Sequence, residues 1–170
     1  MNNERFKKFT ILHSNDMHGD FLAEATGVVE GHVIGGMSLL SGYINKVRQE
    51  EKNVLFVIAG DMLQGSMIDT EYKGISTIEI MNYLAPDVVT LGNHELDYGL
   101  PHLLFLEKMA NFPIVNANLY IKKYNKRLMN PYLIPISPSP HLPICLNDKS
   151  LCERDMTGVR PSENFMAEYR

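Results

Sequence analysis

The chain predicts an α/β fold: a mainly parallel sheet with flanking helices. Three observations carry this expectation. Short runs of β-forming apolar residues alternate with stretches of helical periodicity, in the order β–α–β–α–β–α–β. The run Val54-Leu55-Phe56-Val57-Ile58 is apolar without interruption, as suits a strand in a parallel sheet covered on both faces. Three of the runs stop abruptly at short polar segments, and in open α/β sheets ligands gather beyond the carboxyl ends of the strands.

The first strand is expected over residues 9–12. A connection through Gly27, Gly31, Gly35 and Gly36 leads to a helix over 37–50, where Leu40, Tyr43, Ile44 and Val47 recur with helical spacing. The second strand spans 53–59, and a loop through Gly65 and Ser66 follows. A helix over 75–84 carries the stripe Ile75, Ile78 and Met81, and Pro86-Asp87 then opens a third strand over 88–91. Pro101 suits the start of a third helix over 102–111, and residues 113–117 read as a fourth strand. Parallel strands joined this way imply right-handed crossovers.

From Pro131 the character changes. Pro131, Pro135, Pro138, Pro140 and Pro143 crowd together, and proline neither donates to a sheet ladder nor continues a helix. Beyond them no period of two or 3.6 is found. The expected organisation is one domain over 1–136 and a Pro-rich, weakly ordered tail over 137–170. Cys145 and Cys152 fall in this tail at a spacing that matches neither a zinc nor a thioredoxin motif, and they read as ordinary thiols.

The 170 residues suffice for one domain with a core. A net charge of −4 gives no reason to expect nucleic acid as a partner. No apolar run approaches the roughly 18 residues of a membrane span. Residues 1–8 have basic side chains but no apolar segment behind them, so no signal peptide is expected and the chain as written is expected to be cytoplasmic.

The three polar segments are Asn15-Asp16-Met17-His18-Gly19, Gly60-Asp61 and Gly92-Asn93-His94-Glu95-Leu96-Asp97. In extended chain Asp16 and His18, two apart, point the same way and can face one ion. Asp61 follows Gly60, which lets the backbone turn sharply, and its two oxygens can bridge two cations. Asn93 offers a neutral amide oxygen, which limits the negative charge an anionic phosphate must meet. His94 and Asp97 sit one turn apart, and a carboxylate on one imidazole nitrogen fixes the tautomer and favours the cation. Such a histidine can stabilise transition-state charge or protonate a leaving oxygen. Singly, each residue has a structural reading: Asp16 as a turn cap, Asn93 in a left-handed position, His94 as a hydrogen-bonded buried side chain. Their conjunction at three successive strand ends points to a pair of divalent cations and phosphoester hydrolysis. His13 is expected to be a packed strand residue, and Glu95 second to the ligands or structural. His32, His102 and His141 show no ligand pattern.

On these residues the chain resembles the calcineurin-like metallophosphoesterase superfamily. Ile11-Leu12-His13-Ser14-Asn15-Asp16-Met17-His18-Gly19 and Gly92-Asn93-His94-Glu95-Leu96-Asp97-Tyr98-Gly99 are similar to the bacterial 5′-nucleotidase / UDP-sugar hydrolase / 2′,3′-cyclic phosphodiesterase family. The resemblance covers roughly residues 8–134. It implies the N-terminal half of a metallophosphoesterase α/β sandwich, with Asp16 and His18 on one metal, Asp61 bridging, Asn93 on the other, and His94 with Asp97 as the catalytic pair. The family's remaining three metal-binding histidines and its substrate domain have no counterpart in this sequence. The expected function is therefore metal-dependent hydrolysis of phosphate esters, of the 5′-nucleotidase type, by a truncated chain. The alternative is an inactive fragment that binds a divalent ion weakly. The complete family site holds two divalent ions (Zn, Mn or similar), of which one is expected to be retained. The expected partners are a nucleotide or other small phosphate ester and a complementing C-terminal chain.

Overall fold

The computed structural model describes residues 8–25 and 33–133. The expected boundary at 136, the tail, both cysteines, His32 and His141 lie outside them. Four parallel strands form the main sheet: β1 (Thr10–Ser14), β4 (Val54–Ile58), β5 (Val88–Thr90) and β6 (Ile114–Val115), in that spatial order. Two small antiparallel ribbons, β2 (Glu24–Ala25) with β3 (Val33–Ile34) and β7 (Tyr120–Ile121) with β8 (Lys126–Arg127), lie in connections where no strand is expected. The helices are α1 (Met37–Glu50), α2 (Met67–Tyr72), α3 (Ile75–Leu84) and α4 (Leu100–Met109).

The bounds of α1 and α3 agree with the sequence reading. Helix α4 starts earlier than expected, because Pro101 lies within its first turn, where no amide donor is needed. Helix α2 is unforeseen; Ser66 caps it by accepting from the Asp69 N–H at 3.1 Å. Arg48 of α1 donates to the Ala85 carbonyl at 2.7 Å and so satisfies the end of α3.

Strand order follows chain order without reversal. Right-handed crossovers then place every connecting helix on the same face of the sheet. The core shows this arrangement: Ile44 of α1, Ile78 and Met81 of α3, and Leu106 of α4 pack in one cluster with Phe56, Ile58 and Val89. Among the described residues the opposite face is the more exposed of the two. Phe56 is 1% exposed, whereas Ile11 on β1 is 62% exposed, and Leu55 and Val57 remain half-buried. This corrects the expectation that the second strand is buried on both sides. It also corrects His13, which shares the open face with Ile11 and is exposed rather than packed. Among the described residues no helix is long and apolar enough to cross a membrane.

The one-sided core sets unequal costs for truncation. Phe56→Ala is expected to destabilise the chain by about 3–5 kcal/mol. Ile11→Ala is expected to cost about 1 kcal/mol or less. Urea unfolding of both variants measures the difference, and equal costs would mean that the second face is packed as well.

Candidate metal centre

The site begins where β1 and β4 end, because their pairing does not stop with the sheet. The Asp16 N–H donates to the Gly60 carbonyl at 3.1 Å, His18 N–H to Asp61 at 3.1 Å and Gly19 N–H to Met62 at 2.8 Å. Asp16, His18 and Asp61 all have left-handed backbones, with φ of 52°, 50° and 53°. Such conformations are unfavourable for residues with a side chain and persist where surrounding contacts over-determine them. Met62 and Leu63, each 1% exposed, root the second loop in the core. Two glycines allow the loops to meet. A Cβ on Gly60 would lie 2.3 Å from the Gly92 nitrogen, and one on Gly92 would lie 2.1 Å from Asp61 Oδ1.

Glu95 ties these loops together. It is 2% exposed and accepts four backbone N–H groups: Asp61 at 3.0 Å, Met62 at 2.7 Å, Leu63 at 3.3 Å and Gly92 at 2.6 Å. The reading of Glu95 as structural or second to the ligands agrees with this geometry.

Three side chains converge above this frame. His18, Asp61 and His94 each offer a ligand-type atom, and these atoms all lie within 4.8 Å of one another. The two imidazoles meet edge to face, with centroids 5.1 Å apart. His18 Nδ1 lies 2.8 Å from the Gln64 carbonyl and 3.2 Å from that of Leu63. A carbonyl only accepts, so Nδ1 carries a proton, and in the neutral ring Nε2 is the nitrogen that keeps its lone pair. Asp16 Oδ1 is 3.8 Å from that Nε2, and its other oxygen accepts from the Asn15 amide. Asp61 Oδ1 accepts the His94 N–H at 3.1 Å, which leaves Oδ2 uncommitted to that bond. Asn93 is exposed at the start of the short 3-10 helix His94–Leu96.

His94 Nδ1 is 2.7 Å from Asp97 Oδ2, as the spacing of the two residues leads one to expect. That hydrogen bond holds the His94 pKa above its ordinary 6.5. Desolvation works against the rise, and the charges of Asp97, Asp61 and Glu95 add to it.

Mixed oxygen and imidazole donors, with their second atoms already oriented, fit a divalent cation. His94, expected to serve the transition state, sits within the trio, while Asp16 stands at its exposed edge beside His18. His102 instead has Nε2 2.5 Å from the Lys73 carbonyl, far from a ligand role. Sequence reasoning missed Asp69, a fully buried carboxylate on α2. The pattern Ser66-x-x-Asp69, typical of a helix start, was its only signal.

Comparison with known proteins agrees with this picture. A family model described as calcineurin-like phosphoesterase matches residues 9–160. A 5′-nucleotidase of Mus musculus is 38% identical over 117 residues, covering 66% of this chain and 20% of the relative. A snake venom 5′-nucleotidase of Crotalus adamanteus is 36% identical over 132 residues, covering 75% and 22%. The solved structure of Haemophilus influenzae NAD nucleotidase superposes with a TM-score of 0.62 at 34% identity, covering 69% of this chain and 22% of that one. The chain thus spans about a fifth of the length of these relatives. With the parallel sheet, the strand-end loops and the matched model in agreement, the chain belongs to the calcineurin-like phosphoesterase family.

Proposed function

We propose that residues 1–136 form the metal-holding part of a nucleotide phosphoesterase of the 5′-nucleotidase type, and that 137–170 form a separate segment. The observation that carries this reading is the convergence of His18, Asp61 and His94, with Nδ1 of each imidazole already engaged. In this reading Asp16, His18 and Asp61 hold one divalent ion, Zn²⁺ or Mn²⁺, and Asp61 and Asn93 face a second. Divalent ions held there supply charge against the phosphoryl oxygens and a nucleophilic water at neutral pH.

The chain's own groups do the rest. Asp97 keeps the His94 imidazole oriented and favours its cation, the form that donates to developing negative charge or to the leaving oxygen. No serine or cysteine nucleophile is implied, since the described cluster offers donors for a cation and a His–Asp pair rather than an activated side-chain attacker. The donors among the described residues suffice for one well-held ion and leave the second short. This favours a companion reading, in which the chain alone binds one ion and turns over substrate only when a complementing C-terminal chain adds donors. The small phosphate-ester substrate is a nucleotide, by analogy with the 5′-nucleotidase relatives.

Phosphate release from a nucleotide in the presence of Mn²⁺ tests this, with the chain alone and with a complementing C-terminal segment. Asp61→Ala should abolish both Mn²⁺ binding and turnover. His94→Ala should lower turnover by about 10²–10⁴-fold with Mn²⁺ affinity largely kept. Chelator-resistant hydrolysis would contradict the mechanism, and loss of Mn²⁺ binding in His94→Ala would make His94 a ligand instead. In the metal-free chain, His94 should titrate above 6.5, and Asp97→Asn should lower its midpoint. The raised value means that the pair's contribution to stability is present below about pH 6.5 and lost as pH rises through the His94 midpoint. A histidine NMR titration reads this directly, and an Asp97→Asn midpoint equal to the wild type would refute it.

A further inference from the structure

We infer that Asp69 is a positioning residue of this site, which acts through the Gln64 backbone to fix the nitrogen that His18 presents to a metal. The inference deepens the proposed function and rests on it for the identity of the ligand. Asp69 is 0% exposed, and a buried carboxylate is tolerable only when fully partnered. Its Oδ2 accepts the Gln64 N–H at 2.7 Å and the Tyr98 hydroxyl at 3.1 Å, and its Oδ1 accepts the Thr77 hydroxyl. Burial, and then the charge of Asp69, raise the Tyr98 pKa, which keeps this phenol a donor.

The helix itself does not require this side chain. In the usual capping arrangement the third helical residue reaches back to the N–H of the cap. Here the Ser66 N–H is already taken by the His18 carbonyl at 3.0 Å. The Asp69 carboxylate reaches past it to Gln64. Gln64 has a left-handed backbone, φ 68°, which an L side chain adopts reluctantly. The hydrogen bond from its N–H to Asp69 holds that turn. The turn aims the Gln64 carbonyl at His18 Nδ1, 2.8 Å away. Asp69 also lies directly under the loop that carries His18: a Cβ on Gly19 would fall 2.6 Å from the Asp69 Cβ. Three donors converge on Asp69, and an amide in its place offers one accepting oxygen where the carboxylate offers two.

The full chain carrying Asp69→Asn tests this with two readouts. At alkaline pH and without metal, nitrogen-detected histidine NMR should show wild-type His18 protonated at Nδ1 and unprotonated at Nε2. Asp69→Asn should move it to a mixture of tautomers and weaken Mn²⁺ binding by about tenfold. A purely structural Asp69 would lower the melting temperature and leave the tautomer unchanged, and that result would overturn the inference. If Asp69→Asn fails to fold, Asp69→Glu decides the matter, since it keeps the charge and displaces the oxygens from the Gln64 N–H. It should shift the tautomer in the same direction, and no shift overturns the inference. A wild-type chain that binds no Mn²⁺ would count against the proposed function alone, because the tautomer is read without metal.

Discussion

Glu95 accepts four backbone N–H groups from the ends of two strands, and the geometry of the site depends on it. The strand-end loops carry Asp61 on one side and Asn93, His94 and Asp97 on the other, and the β4–β5 pairing, which ends at Ile58 and Val89, does not reach that far. Amides released from a ladder and buried must find acceptors, and a buried carboxylate must find donors. Each requirement satisfies the other here. Hydrogen bonds to a charged group contribute about 1.5–3 kcal/mol each, enough to hold left-handed residues such as Asp61 in place. The side chains above this frame can therefore differ in role while the frame beneath them stays fixed.

The topology explains where this frame can sit. Four parallel strands in chain order put their helices on one face and their carboxyl ends at one rim. The covered face supplies the core from which Met62 and Leu63 anchor the second loop. The open face, with Ile11, His13, Leu55 and Val57, takes no part in holding the site. Anchoring and exposure are separated by the pleat, since alternate residues of one strand point to opposite faces.

Much of this was legible in the sequence. Helices α1 and α3 carry clear apolar periodicity, and the strand-end segments announce themselves by glycine next to donor side chains. The pairing of His94 with Asp97 follows from their spacing alone. Other features depend on tertiary contacts that leave little trace. Helix α2 has no apolar stripe toward the core, because Met67, Ile68 and Tyr72 are exposed and the buried residue of its single turn is Asp69. The apolar run of β4 is the same whether one face or both are covered. His13 reads as packed because it lies in a strand, but its neighbours on that face are themselves exposed. The approach of His94 to His18 and Asp61 comes from the Glu95 clamp, whose partners are backbone amides that no side-chain pattern reveals.

Amide hydrogen exchange on the metal-free chain tests the clamp most directly. Asp61, Met62, Leu63 and Gly92 lie in loops, yet their amides should exchange about as slowly as those of β4. Glu95→Gln, which leaves one oxygen where two accepted, should accelerate these four amides by roughly tenfold or more while β4 stays protected. Rapid exchange of the four amides in the wild type, or rates unmoved by Glu95→Gln, would contradict the account.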